Sequence, residues 1–361
     1  MAEAGGQIAV IAVNPGSTST KVAVFQDGRQ VKSLSIEHDK AALDALGIIS
    51  GQLEYRLDAI KAALVHEGVS LDGLSAVVGR GGILKPIEGG VYEVNDLMVR
   101  DALERPMAQH ASNLGCAIAR SLASDHGARA FIVDAVCTDE FEPEARISGL
   151  PTIPRLSFLH ALSCRASARR AASELNLSFE DAKFVVAHMG GGTTICSVLG
   201  GRLIDANNSN DEGPFTPERT GTLPAGSVVE LCFNGEYKSA SELRDLFLRR
   251  SGLFGYLGTN DAKEAIRRIG AGDAKALEVM RAMAYQTAKE IGAYAAVLEG
   301  RPDAVILTGG LANWKDFVAE VTSYVSFLGK VLVYPGENEM QALGEGAFAA
   351  LSGKAEIKNY A

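Results

Sequence analysis

A chain of 361 residues exceeds the length that one hydrophobic core usually serves, so two domains are the default expectation. Apolar residues make up 47 % of the sequence and charged residues 22 %, which excludes a disordered protein and is typical of a soluble globular one. The net charge of −9 argues against a nucleic-acid partner, because binding a phosphate backbone needs a basic face. An anionic ligand would therefore need a few local cations.

The five cysteines are too widely spaced for the CxxC patterns of zinc and redox sites, so we expect buried free thiols in a reducing cytoplasm. The first residues, MAEAGGQ, lack the basic region of a signal peptide. The apolar run at 8–13 is far shorter than the roughly 18 residues of a membrane span. We therefore expect a cytoplasmic protein. The cysteines are Cys116, Cys137, Cys164, Cys196 and Cys232.

The same succession of strand, loop, strand, turn and strand occurs twice in the sequence. Residues 8–13 predict a buried strand, 14–19 a polar loop and 20–25 a second strand. A turn at 26–28 then leads to an alternating third strand at 29–36. The corresponding segments of the second half are 183–187, 188–193, 194–199, 200–201 and 202–206.

The shift that places Thr20 on Thr193 also places Gly28 on Gly201, and it is close to half of the chain. It predicts a duplicated domain, with a chance likeness of two hairpins as the alternative. Helix-like stretches then alternate with short apolar strands, which is typical of a mixed α/β sheet with helices on its faces. Two such domains would face each other across a cleft, where ligands usually bind. The predicted helices are 52–66, 113–126, 239–249, 261–269, 274–298 and 340–351, and the strands are 74–78, 130–134 and 304–307.

Three prolines interrupt regular structure at 143–154 and predict a domain boundary near residue 150. We expect a first domain over 1–150 that the C-terminal helix, about 340–361, rejoins. The second domain would then span 151–339.

Three glycine-containing loops follow predicted strands. The loop NPGSTSTK, 14–21, offers backbone N–H groups, hydroxyls and Lys21, and such a turn can bind phosphate. It lacks the spacing of a Walker A loop, and a plain polar hairpin is the alternative. The loop HMGGGTT, 188–194, is its counterpart in the second half, since three glycines suit a close approach of backbone to a ligand. A Gly-Gly pair at 309–310 suits a nucleoside at a strand end.

Several polar side chains stand at defined places outside these loops. Arg80 and Asp134 each end a predicted strand, and Arg80 could bind a ligand carboxylate; a surface cation and a helix cap are the alternatives. Arg219 lies in a loop, 211–221, that has too many helix and strand breakers for regular structure. His160 precedes a helix rich in Arg and Ala.

Seven motifs in order, NPGSTSTK, VGRGG, FIVDA, SFLHAL, AHMGGGTT, GPFTPERTGTLP and LTGGL, resemble the acetate and butyrate kinase family of the actin, sugar kinase and Hsp70 superfamily. The resemblance runs from Asn14 to about Leu343. The stretches VGRGGILKPIEGGVYEVND and GPFTPERTG are similar to the butyrate branch of that family. The fold class that the resemblance implies is α/β, with two duplicated actin-like (ribonuclease H-like) domains, mixed sheets flanked by helices, and an interdomain cleft.

The resemblance also implies site residues, ATP or ADP as co-substrate, Mg²⁺ as cofactor and a homodimer. Arg80 would hold the substrate carboxylate, and Asp134, His160 and Arg219 would act on the reacting groups. Acetate kinases carry a valine at the position of Gly82 and a phenylalanine at that of Leu159, so we expect a larger acid pocket here. The implied nucleotide and phosphate residues are Asn14, Ser17, Ser19, Lys21, His188, Gly190, Gly191, Gly192, Gly309 and Gly310, and the implied metal residues are Asn14 and Glu339, with Glu337 as the alternative to Glu339.

One departure from the family pattern concerns His160. The second histidine of the acetate kinase motif HGTSH is replaced here by Cys164, so we expect no second histidine to share the role of His160.

The function that the resemblance implies is reversible phosphoryl transfer from ATP to a short carboxylate, butyrate or a branched relative. An acetate or propionate kinase is the first alternative, and a non-metabolic actin-like ATPase is the second. A carboxylate is ionised at neutral pH, so we expect Asp134 to position a group rather than remove a proton.

Overall fold

The structure, a computed structural model, describes residues 7–361; residues 1–6, which carry most of the MAEAGGQ segment, lie outside it. The described chain forms two compact units. The first runs to Asp139 and resumes at Asn338–Ala361, and the second is Glu140–Glu337. Among residues 7–361, no helix combines the length and hydropathy that crossing a bilayer requires.

The division between the units falls before the proline-rich segment 143–154 and not near residue 150. Glu140 explains why, because its buried carboxylate lies 2.6 Å from Arg165 Nη2 and accepts from the backbone N–H of Leu203 at 2.7 Å. The chain is therefore tied to the second unit from Glu140 onward. Prolines mark breaks in regular structure, but the buried ion pair decides to which unit the segment belongs.

The first unit contains a seven-stranded mixed sheet in the order β12-β5-β6-β4-β1-β2-β3. Strands β1, β4 and β6 are parallel neighbours, whereas β1, β2 and β3 form the predicted antiparallel meander. The strands are β1 (Ala9–Pro15), β2 (Ser19–Gln26), β3 (Arg29–Glu37), β4 (Leu74–Arg80), β5 (Val91–Glu93), β6 (Arg129–Val133) and β12 (Ile357–Asn359).

Helices cover both faces of this sheet. Alternate strand residues such as Val13 and Val77 pack against α2 and α4, while α12 brings Gly344 against Phe25 on the opposite face. The helices are α1 (Lys40–Ala45), α2 (Leu53–His66), α3 (Asp96–Glu104), α4 (Leu114–Ser124) and α12 (Glu339–Leu351).

The second unit repeats this plan with a five-stranded sheet in the order β11-β10-β7-β8-β9. One face packs against α5 and the other against α10 and α11, so inward residues alternate along β7 between two cores. The strands are β7 (Lys183–Met189), β8 (Thr193–Leu199), β9 (Arg202–Ala206), β10 (Ala304–Gly309) and β11 (Val331–Pro335). The helices are α5 (Ala161–Leu175), α6 (Ala225–Phe233), α7 (Ala240–Arg249), α8 (Gly252–Leu257), α9 (Ala262–Gly270), α10 (Ala274–Val297) and α11 (Lys315–Val325).

The duplication extends to irregular details of the two meanders. The pairing of β2 with β3 shifts register between Val24 and Phe25, and that of β8 with β9 shifts at the corresponding Ser197 and Val198. Both hairpin turns place two consecutive residues at positive φ, Asp27-Gly28 in the first and Gly200-Gly201 in the second. Equivalent bulges and equivalent turns argue against a chance likeness of two hairpins.

Two expectations need correction. Four cysteines are buried free thiols as predicted, but Cys232 is exposed, because α6 buries none of its residues in the described chain. The strands β5, β11 and β12 were not predicted, since each has only three to five residues and little alternation.

A close contact between two glycines, one on β4 and one on α4, fixes the position of the end of β4. A Cβ on Gly79 would lie 2.1 Å from the carbonyl oxygen of Gly115, and a Cβ on Gly115 would lie 2.1 Å from that of Arg80. Helix α4 can therefore approach the sheet closely only because neither residue has a side chain. This contact fixes the backbone from which Arg80 extends.

Candidate functional site

Three parallel strands of the first unit end side by side and bring three predicted site residues to one sheet edge. Val13 pairs with Gly79, and Arg80 pairs with Val133, so Asn14, Arg80 and Asp134 follow one another across β1, β4 and β6. Ligands of open α/β sheets bind beyond the carboxyl ends of such strands.

Arg80, Asn14 and Glu339 form one hydrogen-bonded group, which we call the carboxyl-end cluster. Glu339 is the first residue of α12, and its carboxylate accepts from Asn14 Nδ2 at 2.6 Å. Arg80 Nη1 lies 3.0 and 3.1 Å from the two carboxylate oxygens of Glu339 and 3.5 Å from Asn14 Oδ1. Arg80, predicted to hold a substrate carboxylate, therefore already binds one carboxylate of the protein.

The remaining donors of Arg80 are available for a second partner. Its Nε and Nη2 groups donate to no residue within 7–361, and its side chain keeps 19 % of its surface exposed. Glu337, the alternative to Glu339, belongs to the second unit, where its backbone carbonyl accepts from Ser163. Glu339 is the glutamate whose carboxylate joins the carboxyl-end cluster.

Asp134 is buried and occupies an unusual backbone conformation. Its φ of 41° is positive, which Asp tolerates better than most residues. It is not a helix cap; its carboxylate accepts from the backbone N–H of Gly90 at 2.8 Å, and its own N–H donates to the carbonyl of Gly90 at 3.0 Å. These two bonds hold the carboxylate at the end of β6.

The hairpin between β1 and β2 carries the other predicted residues of this unit. Ser17 is exposed, Ser19 is half-buried and Lys21 is exposed on β2 directly opposite Asn14. Lys21 therefore extends from the same hairpin as Asn14 of the carboxyl-end cluster.

Gly82 does not open a pocket in the way that the sequence suggested. A Cβ at this position would lie 2.6 Å from both Cα and Oδ1 of Asn113. Asn113 is held there because its Oδ1 accepts from the N–H of Ile83 and its Nδ2 donates to the carbonyl of Ala108, both at 2.8 Å. Asn113 thus fills the space beside Gly82 that was expected to be empty because the valine side chain of acetate kinases is missing here.

His160 lies beside a second histidine of the second unit. His160 stands immediately before α5, and His188 lies on β7, with their ring centroids 4.6 Å apart. Thr194, which is opposite His188 in the β7–β8 register, places its hydroxyl oxygen 2.9 Å from His160 Nδ1. A second histidine therefore does adjoin His160, and it comes from the neighbouring strand rather than from the turn in α5 where Cys164 stands.

The glycine loop between β7 and β8 packs directly against Arg219. A Cβ on Gly192 would lie 2.8 Å from Arg219 Nη1, so the absence of a side chain admits the guanidinium. Thr216 joins the two loops, because its hydroxyl donates to the carbonyl of Gly191 at 2.6 Å and accepts from the N–H of Arg219 at 3.0 Å. Gly190 closes the turn through its N–H, which donates to the carbonyl of Gly192.

Arg219 is a half-buried cation that forms no salt bridge with a carboxylate among residues 7–361. Its Nη1 donates to Ser209 and Asn210, each at 2.8 Å, and its buried Nε has no acceptor there. Burial is the main cause that lowers the pKa of Arg219. The guanidinium nevertheless stays charged at neutral pH, so it provides positive charge beside the glycine loop, where Glu218 and Asp211 partly offset it.

Gly309 ends β10 at a φ of 90°, and a Cβ there would lie 2.4 Å from the carbonyl oxygen of Met189. Gly310, in contrast, has open space where a Cβ would stand. Leu159, predicted to line the acid pocket, is 2 % exposed and packs in the α5-side core of the second unit.

The donor set suits a magnesium ion that is bound with phosphate. No group of three or more His, Cys, Asp or Glu within 7–361 is placed to hold a metal ion. The carboxylate of Glu339 and the amide oxygen of Asn14 are hard oxygen donors, and the two side chains are joined by a hydrogen bond. Mg²⁺ commonly takes one or two protein oxygens and completes its shell with water and substrate phosphates, so these two residues fit it.

Sequence reasoning missed four residues that organise these sites: Thr194, Thr216, Asn113 and Arg56. Arg56 had a visible signal, because it lies on the apolar stripe of α2 formed by Leu53, Leu57 and Ile60. The other three become recognisable only when distant segments are brought together.

Comparison with known proteins gives one family and one fold. Residues 153–355 match the Acetokinase family. The chain is 46 % identical over 351 residues to the probable butyrate kinase 2 of Caldanaerobacter subterraneus subsp. tengcongensis, which covers 97 % of this chain and 99 % of that protein.

Two solved structures share the fold. The acetate kinase of Porphyromonas gingivalis has a TM-score of 0.77 at 20 % identity, covering 94 % of this chain and 99 % of that one. The propionate kinase of Francisella tularensis subsp. tularensis SCHU S4 has a TM-score of 0.72 at 19 % identity, covering 94 % and 98 %. The predicted actin-like α/β fold is confirmed.

We expect Gly309→Ala to lower the free energy of unfolding by about 3 kcal/mol or more, because the new methyl group meets the backbone of Met189 and the positive φ adds strain. Gly310→Ala is the matched control and should change stability by less than about 1 kcal/mol. Urea denaturation measures both. Equal stability of the two variants would contradict the close packing of Gly309.

Proposed function

The chain belongs to the acetokinase family of carboxylate kinases, and we propose that it transfers the γ-phosphoryl group of ATP reversibly to butyrate, giving butyryl phosphate and ADP. The observation that carries the proposal is Arg80 at the end of β4. Its Nη1 is committed to Glu339, while Nε and Nη2 form an open fork of two donors. Such a fork matches a carboxylate in a bidentate geometry.

The choice of butyrate rests on the butyrate kinase relative at 46 % identity. The glycine at position 82 does not by itself enlarge the acid pocket, since Asn113 occupies the space where a side chain of residue 82 would lie. An acetate or propionate preference remains the alternative substrate class for the same reaction. Family membership sets aside an actin-like ATPase without a metabolic substrate.

The reaction needs no general base in the forward direction. A carboxylic acid whose pKa lies near that of a glutamate side chain is already ionised at neutral pH. We assign Asp134 a positioning role, because the reaction requires no proton acceptor and the Gly90 N–H holds the Asp134 carboxylate at the end of β6. The acid attacks phosphorus through one carboxylate oxygen, and ADP leaves with the electron pair of the broken bond.

Charge stabilisation is the main contribution that this chain makes. The transferring phosphoryl group spreads negative charge over its equatorial oxygens, and two anions approach each other. We assign Lys21, Arg219 and His160 to that charge. Thr194 would orient His160, and the glycine loop 190–192 would bring backbone N–H groups to the nucleotide phosphates.

We assign Asn14 and Glu339 to Mg²⁺, which when bound neutralises phosphate charge. Glu339 has a second task, because it fixes Arg80 Nη1 and so sets the direction of the open fork. Gly309 and Gly310 are assigned to the nucleoside, at the end of β10 next to the strand that carries His188.

An assay with ATP, Mg²⁺ and straight-chain acids from formate to hexanoate tests the function, with acyl phosphate trapped as the hydroxamate. We expect the largest kcat/KM for butyrate, about tenfold or more above acetate, because each buried methylene contributes about 1–3 kcal/mol. Equal kcat/KM for acetate and butyrate would contradict the substrate assignment. Absence of hydroxamate with every acid would contradict the kinase assignment.

Substitutions in the carboxyl-end cluster separate acid binding from metal binding. Arg80→Ala should raise KM for butyrate by at least about tenfold, with a smaller change in KM for ATP, because a bidentate charged pair is lost. Glu339→Gln should instead raise the Mg²⁺ concentration needed for half-maximal rate. Arg120→Ala, which removes an exposed arginine of α4, is the control and should leave these constants unchanged. An Arg80→Ala enzyme with unaltered KM for butyrate would refute the acid site.

A further inference from the structure

A fully buried arginine lies beneath the β1–β2 loop of the first unit, the loop predicted to bind phosphate. Arg56 has 0 % of its surface exposed and extends from α2 toward residues 16–20. Its Nε and Nη2 donate to Gln52 Oε1 at 3.2 and 3.0 Å. The same guanidinium donates to the carbonyls of Ser17 and Ser19 and to the hydroxyl of Thr20, at 3.1 to 3.2 Å. Every one of these acceptors is uncharged.

No carboxylate within residues 7–361 pairs with Arg56, which is unusual for a buried guanidinium. Burial is the main cause that lowers the pKa of Arg56. The side chain still carries its charge at neutral pH, since arginine does not lose its proton in proteins. A buried charge without a counter-charge is costly to the folded state, so a compensating role is expected for it.

The backbone of the loop is polarised by these contacts. The carbonyls of Ser17 and Ser19 point inward to Arg56, and that of Thr18 accepts from the N–H of His38 at 2.9 Å. Ser17 and Thr18 are exposed, and their N–H groups donate to no residue within 7–361. The Ser17 carbonyl and the Thr18 N–H belong to one trans peptide and point in opposite directions, so the Thr18 N–H faces away from the buried positive charge, an arrangement that binds anions.

We propose that Arg56 is the positioning residue and buried counter-charge for a nucleotide phosphate bound on loop 16–19. Arg56 does not touch the phosphate; it holds the Ser17 carbonyl inward so that the N–H group of Thr18 faces the ligand, with the N–H of Ser17 beside it. Its charge becomes paired across the loop when the anion binds. This inference rests on the proposed function and adds a residue that none of the sequence motifs contains.

Gln52→Glu gives the sharpest test, because it keeps a side-chain oxygen acceptor for Arg56 and supplies the missing counter-charge. We expect this variant to be at least as stable as the parent. Its affinity for a non-hydrolysable ATP analogue with Mg²⁺, measured by calorimetry, should fall about tenfold, while KM for butyrate changes less than about twofold. An arginine with a merely structural role would leave the affinity for the analogue unchanged.

Arg56→Met and Arg56→Lys complete the test. Methionine keeps the apolar stem and removes the charge, so affinity for the analogue should fall at least as far as in Gln52→Glu; lysine should restore part of it. Leu122→Ala is the control for lost stability, since it removes a buried side chain of α4 away from the loop and should leave analogue affinity unchanged.

Unchanged analogue affinity in Gln52→Glu, or equal losses for the analogue and for butyrate, would overturn the role of Arg56. A failure of the proposed function would look different: the unmodified enzyme would then form no acyl phosphate with any acid. Calorimetry would still decide whether Arg56 governs binding of the nucleotide.

Discussion

The pairing of Arg80 with Glu339 is the constraint around which the first unit is organised. It joins the end of β4 to the start of α12 across most of the sequence, and Asn14 adds the end of β1 to the same group. Parallel strands need long crossover connections, so residues far apart in sequence meet at their carboxyl ends. The C-terminal segment must return to the first sheet for Glu339 to arrive there.

Each unit places one arginine at its glycine-containing loop, although the chain as a whole is acidic. The net charge is −9, yet Arg56 and Arg219 are each held by uncharged acceptors, one beneath the β1–β2 loop and one beside the β7–β8 loop. The two loops occupy corresponding positions in the duplicated meanders. Duplication therefore extends from the backbone to one electrostatic feature, since each glycine-containing loop has a guanidinium nearby whose hydrogen-bond acceptors are uncharged. Such an arrangement suits ligands that carry phosphate.

Local patterns were sufficient to predict the meanders. Apolar runs and Gly turns depend only on neighbouring residues, so β1 to β3 and β7 to β9 were located within one or two residues of their ends. The duplication followed from the same patterns. The short strands β5 and β12 were not found, because three residues carry too little periodicity to distinguish a strand from a loop.

The site was only partly accessible from sequence. Motif residues such as Arg80 and Arg219 were identified by type and order, but their partners depend on contacts over long sequence distances. Cys164 replaces the second histidine of the family motif, but the motif gave no sign that His188 on β7 packs beside His160. Gly82 suggested empty space, whereas Asn113 fills it. Predicting these outcomes requires the packing of α4 and α5 against their sheets.

Direct attack of an acid oxygen on phosphorus is the central claim, and butyrate labelled with ¹⁸O at both carboxylate oxygens tests it. The product is examined by ³¹P NMR, where a bond from ¹⁸O to phosphorus shifts the resonance. We expect butyryl phosphate formed from ATP to carry ¹⁸O in the bridge between carbon and phosphorus. Butyryl phosphate whose phosphorus is bonded only to ¹⁶O would contradict it, because the acid oxygen would then not have been the nucleophile.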